Sequence, residues 1–377
     1  MLGLTVSNAL LGSTLTLASG WARVDTTVDP GPRNGFAMAH VDGRVLLMGG
    51  HVFEAGARGD LWELRDGNWR LVSDDDDEPG PRWNHALSSD GVGVLLLGGE
   101  DDATGTRRLL GDAWRWQQSW AIEDGDGPSA RARHALAYDQ VRHRVVLFGG
   151  AIAGDTAGDT WEWNPDTGGW TEHAATGPSP RRDHAMAFDG ERVVLFGGLA
   201  EGYLGDTWTF DGVTWTRVDE GPSPRSGHAM AGGDGLVIVY GGQGQDTIYD
   251  DTWIWTGAWQ RVPAQENPGR RFGHAMVWAG DHVVLFGGNT PAPDAETWIY
   301  TPDANEVPGE DEGGSTDDGA TGETDASTDA PDADGEGSGC SCSLEPTSER
   351  PFGLALLVVG LVALGRRRNQ GVRPCAR

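Results

Sequence analysis

The chain has 377 residues, of which 59 are Gly and 17 are Trp; it contains no lysine and carries a formal net charge of −29. That charge argues against nucleic acid as a partner, because phosphate binding needs a basic footprint and none is visible. The three cysteines, Cys340, Cys342 and Cys375, all lie beyond residue 339, so residues 1–339 hold no disulfide and no thiolate metal site.

Residues 1–20 are apolar and rich in small side chains, with Ala9-Leu10-Leu11 and then Leu15-Thr16-Leu17-Ala18-Ser19-Gly20. Ala18 and Gly20 stand at the −3 and −1 places of a cleavage site, so a secretory signal is expected here. The first arginine is Arg23, and without a positive n-region a frayed apolar N-terminus is the other reading.

Residues 21–302 repeat one pattern six times. An apolar run ends in a glycine pair, at Gly49-Gly50, Gly98-Gly99, Gly149-Gly150, Gly197-Gly198, Gly241-Gly242 and Gly287-Gly288. A period of 44 to 51 residues marks a repeat architecture. Each unit divides into four strands, and helical periodicity is missing, so the chain reads as all-β. In the fourth unit the first strand is His184-Ala185-Met186-Ala187-Phe188, which turns at Asp189-Gly190. The second is Arg192-Val193-Val194-Leu195-Phe196, closed by the glycine pair and apolar throughout, as expected for a strand buried on both faces. The third runs from Asp206 to Phe210, and the fourth is Trp215-Thr216-Arg217-Val218.

Third-strand tryptophans fall at Trp62, Trp114, Trp161, Trp208, Trp253 and Trp298, and fourth-strand ones at Trp69, Trp120, Trp170, Trp215 and Trp259. The sixth unit has no fourth strand of its own. Trp21-Ala22-Arg23-Val24-Asp25 reads like Trp215-Thr216-Arg217-Val218-Asp219, so the N-terminal strand is expected to complete the last sheet and close a ring. With its hydrophobic strand, Gly-Gly, spaced acidic residue and two spaced tryptophans, each unit resembles a kelch repeat. The resemblance implies a six-bladed kelch-type β-propeller over 21–302, monomeric, closed by the N-terminal strand.

Residues 303–338 hold thirteen Asp or Glu and no Lys or Arg. Such a segment cannot bury enough apolar surface to offset its ordering entropy, and it reads as a disordered acidic linker. Residues 339–377 begin with Cys340-Ser341-Cys342, continue with the apolar run Phe352–Gly365 and then Arg366-Arg367-Arg368. Fourteen apolar residues are short for a spanning helix, which needs about 20. This order resembles a myxobacterial-type C-terminal sorting tag. That resemblance implies recognition by a membrane sorting protease and retention at the cell surface, with Cys340 and Cys342 near the site of anchoring and Arg366, Arg367 and Arg368 on the cytoplasmic side. The nine residues from Asn369 to Arg377, including Cys375, depart from the pattern, and a plain C-terminal membrane anchor is the alternative.

Two recurring constellations look chemical. The first is Arg-x-x-His, at Arg82/His85, Arg131/His134, Arg181/His184, Arg225/His228 and Arg271/His274, with Arg33/Phe36 in the first unit. The second is the acidic third-strand set Asp60, Asp112, Asp159, Asp206, Asp251 and Glu296. Repetition in nearly every unit argues that both are structural contacts of the repeat, the acids capping a loop or holding a neighbouring Arg. The glycine pairs are not phosphate loops, since no Lys-Ser/Thr follows. No catalytic residue, metal ligand or cofactor is assigned.

Function is expected where the units differ, on the face carrying the second-to-third-strand loops and the blade-to-blade connections. Phe53, Asp75, Asp76, Arg107, Arg108 and Tyr203 are the candidate contacts, on a face expected to be strongly acidic. The leading reading is an exported, surface-anchored interaction module for an extracellular protein or an envelope polysaccharide. The alternatives are a sugar mutarotase-like enzyme using the propeller channel and a structural envelope protein without a discrete ligand.

Overall fold

A computed structural model describes residues 19–303, apart from 75–76, 103–104, 124, 175, 219–220, 264–265 and 291–293. Among the described residues there are six antiparallel sheets of four strands and no helix. The chain enters through β1 (Gly20–Val24). Blade 1 is β2 (Ala37–Val41), β3 (Arg44–Val52), β4 (Gly56–Arg65) and β5 (Asn68–Ser73). Blade 2 is β6 (Ala86–Ser89), β7 (Val94–Asp101), β8 (Arg108–Trp116) and β9 (Trp120–Glu123). Blade 3 is β10 (Ala135–Asp139), β11 (Arg144–Ile152), β12 (Asp155–Asn164) and β13 (Gly169–His173). Blade 4 is β14 (Ala185–Phe188), β15 (Val193–Leu199), β16 (Tyr203–Phe210) and β17 (Trp215–Val218). Blade 5 is β18 (Ala229–Gly233), β19 (Leu236–Tyr240), β20 (Thr252–Trp255) and β21 (Trp259–Arg261). Blade 6 takes β22 (Ala275–Trp278), β23 (Val283–Phe286) and β24 (Thr297–Thr301) from the end of the repeats and β1 from the beginning.

The innermost strands β2, β6, β10, β14, β18 and β22 touch in sequence, and β22 touches β2, so the sheets close into a six-bladed propeller. Closure is by β1 pairing with β24, in the register Trp21↔Tyr300 and Arg23↔Trp298. Each second strand is sandwiched between neighbouring sheets and buried on both faces: Leu47, Leu96, Leu147, Leu195, Val239 and Leu285 have almost no solvent contact. This burial is why its sequence is apolar at every position rather than at alternate ones.

In blades 1–4 the second strand does not stop at the glycine pair. It runs through the pair to residues such as Leu199, with a bulge between Phe196 and Gly198. Gly197 (φ 66) and Gly198 (φ 108) are left-handed. A Cβ on Gly197 would stand 2.7 Å from the Arg225 carbonyl oxygen, and one on Gly198 would stand 2.8 Å from His184 Cβ. The pair therefore serves close approach of backbones at a bulge.

Candidate binding face

Arg, Gly-Gly, Asp and His of the repeat form one joint between blades. In blade 4, Arg181 is fully buried and donates to both carboxylate oxygens of Asp206 (2.7 and 2.8 Å) and to the Gly197 carbonyl (3.0 Å). Asp206 also accepts the Trp208 indole N–H at 2.7 Å. Burial pushes the Asp206 carboxyl up, but the Arg181 and Trp208 hydrogen bonds outweigh it and hold the group below its ordinary value. The same clamp joins Arg33 to Asp60, Arg82 to Asp112, Arg131 to Asp159 and Arg225 to Asp251. Blade 6 departs from the expected set: Arg271 pairs with Asp294 at 2.9 Å, while Glu296 accepts from Trp298 and from Arg23.

The second glycine of each pair donates its N–H to the clamp arginine's carbonyl in the next blade, as Gly198 does to Arg225 at 2.8 Å. Each histidine packs its Cβ on the second glycine of its own blade and its ring on the first glycine of the preceding one. Burial, and next the neighbouring clamp arginine, lowers His85 and His228 to about 3, so both imidazoles are neutral. Among the described residues no group of three metal-ligating side chains comes together. The Arg-x-x-His and acidic constellations are thus structural, as their repetition implies.

The residue just before each histidine, and before Phe36 in blade 1, makes a second ring. Gly35, Asn84, Arg133, Asp183, Gly227 and Gly273 all have left-handed backbones, with φ between 54 and 65. Each donates its N–H to the carbonyl of its counterpart in the preceding blade: Asn84 to Gly35, Arg133 to Asn84, Asp183 to Arg133, Gly227 to Asp183, Gly273 to Gly227 and Gly35 to Gly273. Six hydrogen bonds of 2.6–3.3 Å close a circle around the propeller axis. Three members are glycines and three carry side chains, so the circle is chemically lopsided although its backbone is regular.

Around Asn84, Arg133 and Asp183 the face carrying the second-to-third-strand loops, the upper face, holds a connected polar cluster. Glu100, fully buried at the end of β7, accepts from Asn84 Nδ2 (3.2 Å) and from Arg133 Nε (3.4 Å), and its other oxygen faces Arg107 Nε. Arg133 also reaches Asp183 at 3.4 Å, and Arg182 lies 3.8 Å from the same carboxylate. Burial pushes the Asp183 carboxyl above its ordinary value despite Arg133 and Arg182. Burial, and next Arg133, lowers the Arg107 guanidinium from its ordinary value. Such a cluster can hold an anionic group.

The sequence candidates distribute unevenly over this face. Arg107 joins the cluster, its side chain 58% exposed. Arg108 belongs to a separate pair with Asp101 at 2.5 Å. Phe53 is an exposed tip in the β3–β4 turn. The Tyr203 hydroxyl accepts from Gln243 Nε2 at 3.1 Å, on the blade 4–5 side. Asp75 and Asp76 lie outside the described residues, as do Cys340, Cys342, Arg366, Arg367 and Arg368. Glu100 is a buried strand residue rather than a loop residue, and Arg133, Arg182 and Asp183 were hidden inside the Arg-x-x-His motif. Their signal is the third motif position, where an arginine interrupts a series of Gly, Asn and Asp.

The ring defines a six-bladed β-propeller. A family model for the KLHDC2/KLHL20/DRC7 kelch-repeats domain matches residues 112–288. The solved structure of YjhT is similar with a TM-score of 0.58 and 15% sequence identity, over 71% of this chain and 94% of that one, a likeness of fold. No curated protein matches. A kelch propeller is in general a protein-interaction module.

Proposed function

We propose that the protein is an exported, surface-anchored interaction module that engages its partner through the upper face. One observation carries this reading: where the repeat is otherwise strict, Arg107, Arg133 and Arg182 gather around only two carboxylates, Glu100 and Asp183. In a chain of net charge −29 this is a local surplus of positive charge. It suits a partner that presents carboxylate groups, on an extracellular protein or an acidic envelope polysaccharide. Export and anchoring are supported by the order of apolar N-terminus, acidic linker, Cys340-Ser341-Cys342, apolar run and Arg366-Arg367-Arg368 in the sequence. A second reading, a sugar mutarotase-like carbohydrate-active enzyme using the propeller channel, rests on the place of Asp183, on the hydrogen-bonded circle around the axis and beside Arg133 and Arg182.

The test incubates the purified full chain with fractionated envelope glycans and surface proteins and identifies what is retained and whether it has changed. The module reading expects a retained, unaltered partner whose binding weakens with salt and is lost in Arg107→Glu. A chemically altered product, abolished by Asp183→Asn, overturns it in favour of the enzyme.

A further inference from the structure

The lower half of the central channel is a cup of about 530 Å³. Its walls start at Met38, Leu87, Leu136, Met186, Met230 and Met276, three residues beyond the hydrogen-bonded circle in each innermost strand. It opens at the turns between first and second strands.

Most of the innermost strand is nearly constant from blade to blade: Ala37, Ala86, Ala135, Ala185, Ala229 and Ala275 begin it, and Met or Leu follows. The fourth position differs in every blade, being His40, Ser89, Tyr138, Phe188, Gly232 and Trp278, and all six line the cup. The fold does not require that variety, since each blade closes with a different residue there.

Two of the aromatic walls are built in from neighbouring blades. A Cβ on Gly91 would stand 2.4 Å from the Tyr138 hydroxyl, and one on Gly233 would stand 2.3 Å from the Trp278 indole, so each glycine makes a seat for a ring. Tyr138 is fixed further by its 3.0 Å hydrogen bond with His143 Nδ1, and Trp278 by donating to the Gly280 carbonyl at 2.6 Å. Tyr138 and Trp278 come from blades 3 and 6, on opposite sides of the channel.

Between them the lining side chains are largely apolar with a few uncharged polar groups. His40 and Ser89 offer donors and acceptors, the Ser89 hydroxyl keeping its proton free while it accepts from Gly91 N–H at 3.2 Å, and Asp42 and Asp234 lie exposed in rim turns, where water screens them. Burial lowers His40 from its ordinary value and favours the neutral ring. An ion placed in the cup would find no buried counter-charge. A neutral ligand with hydroxyls around its edge and flat C–H faces would find stacking surfaces and hydrogen bonds together.

We propose that the cup is a binding site for a neutral saccharide of about disaccharide size, held between Tyr138 and Trp278 with hydroxyls turned to His40 and Ser89. This site is on the opposite face from the arginine cluster and does not depend on it.

The experiment is saturation-transfer NMR on the full chain with cellobiose, maltose and N,N′-diacetylchitobiose as probes, and tetramethylammonium as an organic cation. The proposal expects transfer to at least one disaccharide and affinity reduced about tenfold or more in Trp278→Ala, the loss of one stacking face. Should Trp278→Ala fail to fold, Ser89→Trp fills the cup from blade 2 without removing core and must abolish the signal. Transfer to none of the three sugars, transfer that survives the variants, or binding of tetramethylammonium alone overturns the proposal. No envelope partner is present in the assay, so failure here leaves the upper-face reading to its own test.

Discussion

Trp21 donates its indole N–H to Thr252 Oγ1 at 2.9 Å, across 231 positions of sequence. The donor comes from the first strand of the chain and completes blade 6; the acceptor is in blade 5. The same bond repeats between neighbours, from Trp69 to Thr297, Trp215 to Thr160 and Trp259 to Thr207. These four fourth-strand tryptophans therefore sew their blades to the third strand of the preceding one, and Trp21 does so at the seam. Trp21 also packs on Tyr240 and Tyr300 at 4.9 and 5.1 Å. Trp21→Ala is expected to cost about 3–5 kcal/mol, the range for deleting a buried aromatic. Urea unfolding measures this; a loss no larger than that of a surface substitution would show that β1 does not hold the ring shut.

The tryptophan series has natural exceptions in blades 1 and 2, where Leu61 and Ala113 stand in place of the threonine. Leu61 stands in blade 1 where blades 3–6 have Thr160, Thr207, Thr252 and Thr297, and Trp120 of blade 2, which packs against it, has an unpartnered indole N–H. Thr207→Val should place Trp259 in the same state, at a cost of about 1–3 kcal/mol for a stranded donor. In Trp120→Phe no hydrogen bond is lost, so its cost should be set by ring area alone. Denaturant midpoints of the two variants, each compared with Trp259→Phe, separate the contributions.

Blade 6 distinguishes the clamp from its neighbourhood. Arg271 is 1% exposed and its partner is Asp294, whereas Glu296 pairs at the surface with Arg23, itself 55% exposed. Asp294→Ala leaves a buried guanidinium without its carboxylate, which costs about 3–5 kcal/mol. Glu296→Gln removes an exposed pair worth about 0–1 kcal/mol. Equal losses in thermal or urea unfolding would refute the assignment of Asp294 to the clamp.

The contrast also shows what the sequence could and could not convey. Gly-Gly, Trp and Asp recur because every blade faces the same packing problem, so periodicity exposes the six-bladed ring and the structural nature of Arg181 and Asp206. The strand borrowed from the N-terminus was legible because Trp21-Ala22-Arg23-Val24 repeats the sentence of Trp215-Thr216-Arg217-Val218. Asp294 escaped because Glu296, two residues later, occupies the repeat position while Asp294 makes the contact. The binding face was harder. Glu100, Arg133 and Asp183 meet only through the turn of the ring from blade 2 to blade 4, and a linear period gives no bearing on that distance. Phe53 and Tyr203 stood out in sequence as large side chains in loops, yet Phe53 is an exposed turn tip, Tyr203 is half-buried at the start of β16, and neither joins the Glu100 contacts.

The buried histidines set the response to acid. Burial holds His85, His134 and His228 at about 3 in the folded protein, and lowers His184 and His274 well below 6.5. Unfolded, each returns to about 6.5. Above that pH neither state is protonated and the five groups contribute nothing. As pH falls below it the unfolded chain takes up protons that the folded one refuses, so stability is lost progressively down to about pH 3. Each histidine contributes a slope of up to about 1.4 kcal/mol per pH unit across that window. Blade 1 already carries Phe36 at this position, so His228→Phe offers a ring of tested shape without the titration. Urea unfolding between pH 7 and pH 4 should show the variant's slope shallower by about one proton, with the two proteins converging in pH dependence above pH 7. An unchanged slope would mean that His228 is protonated in the folded ring and that its imidazole, contrary to its burial, has found a counter-charge.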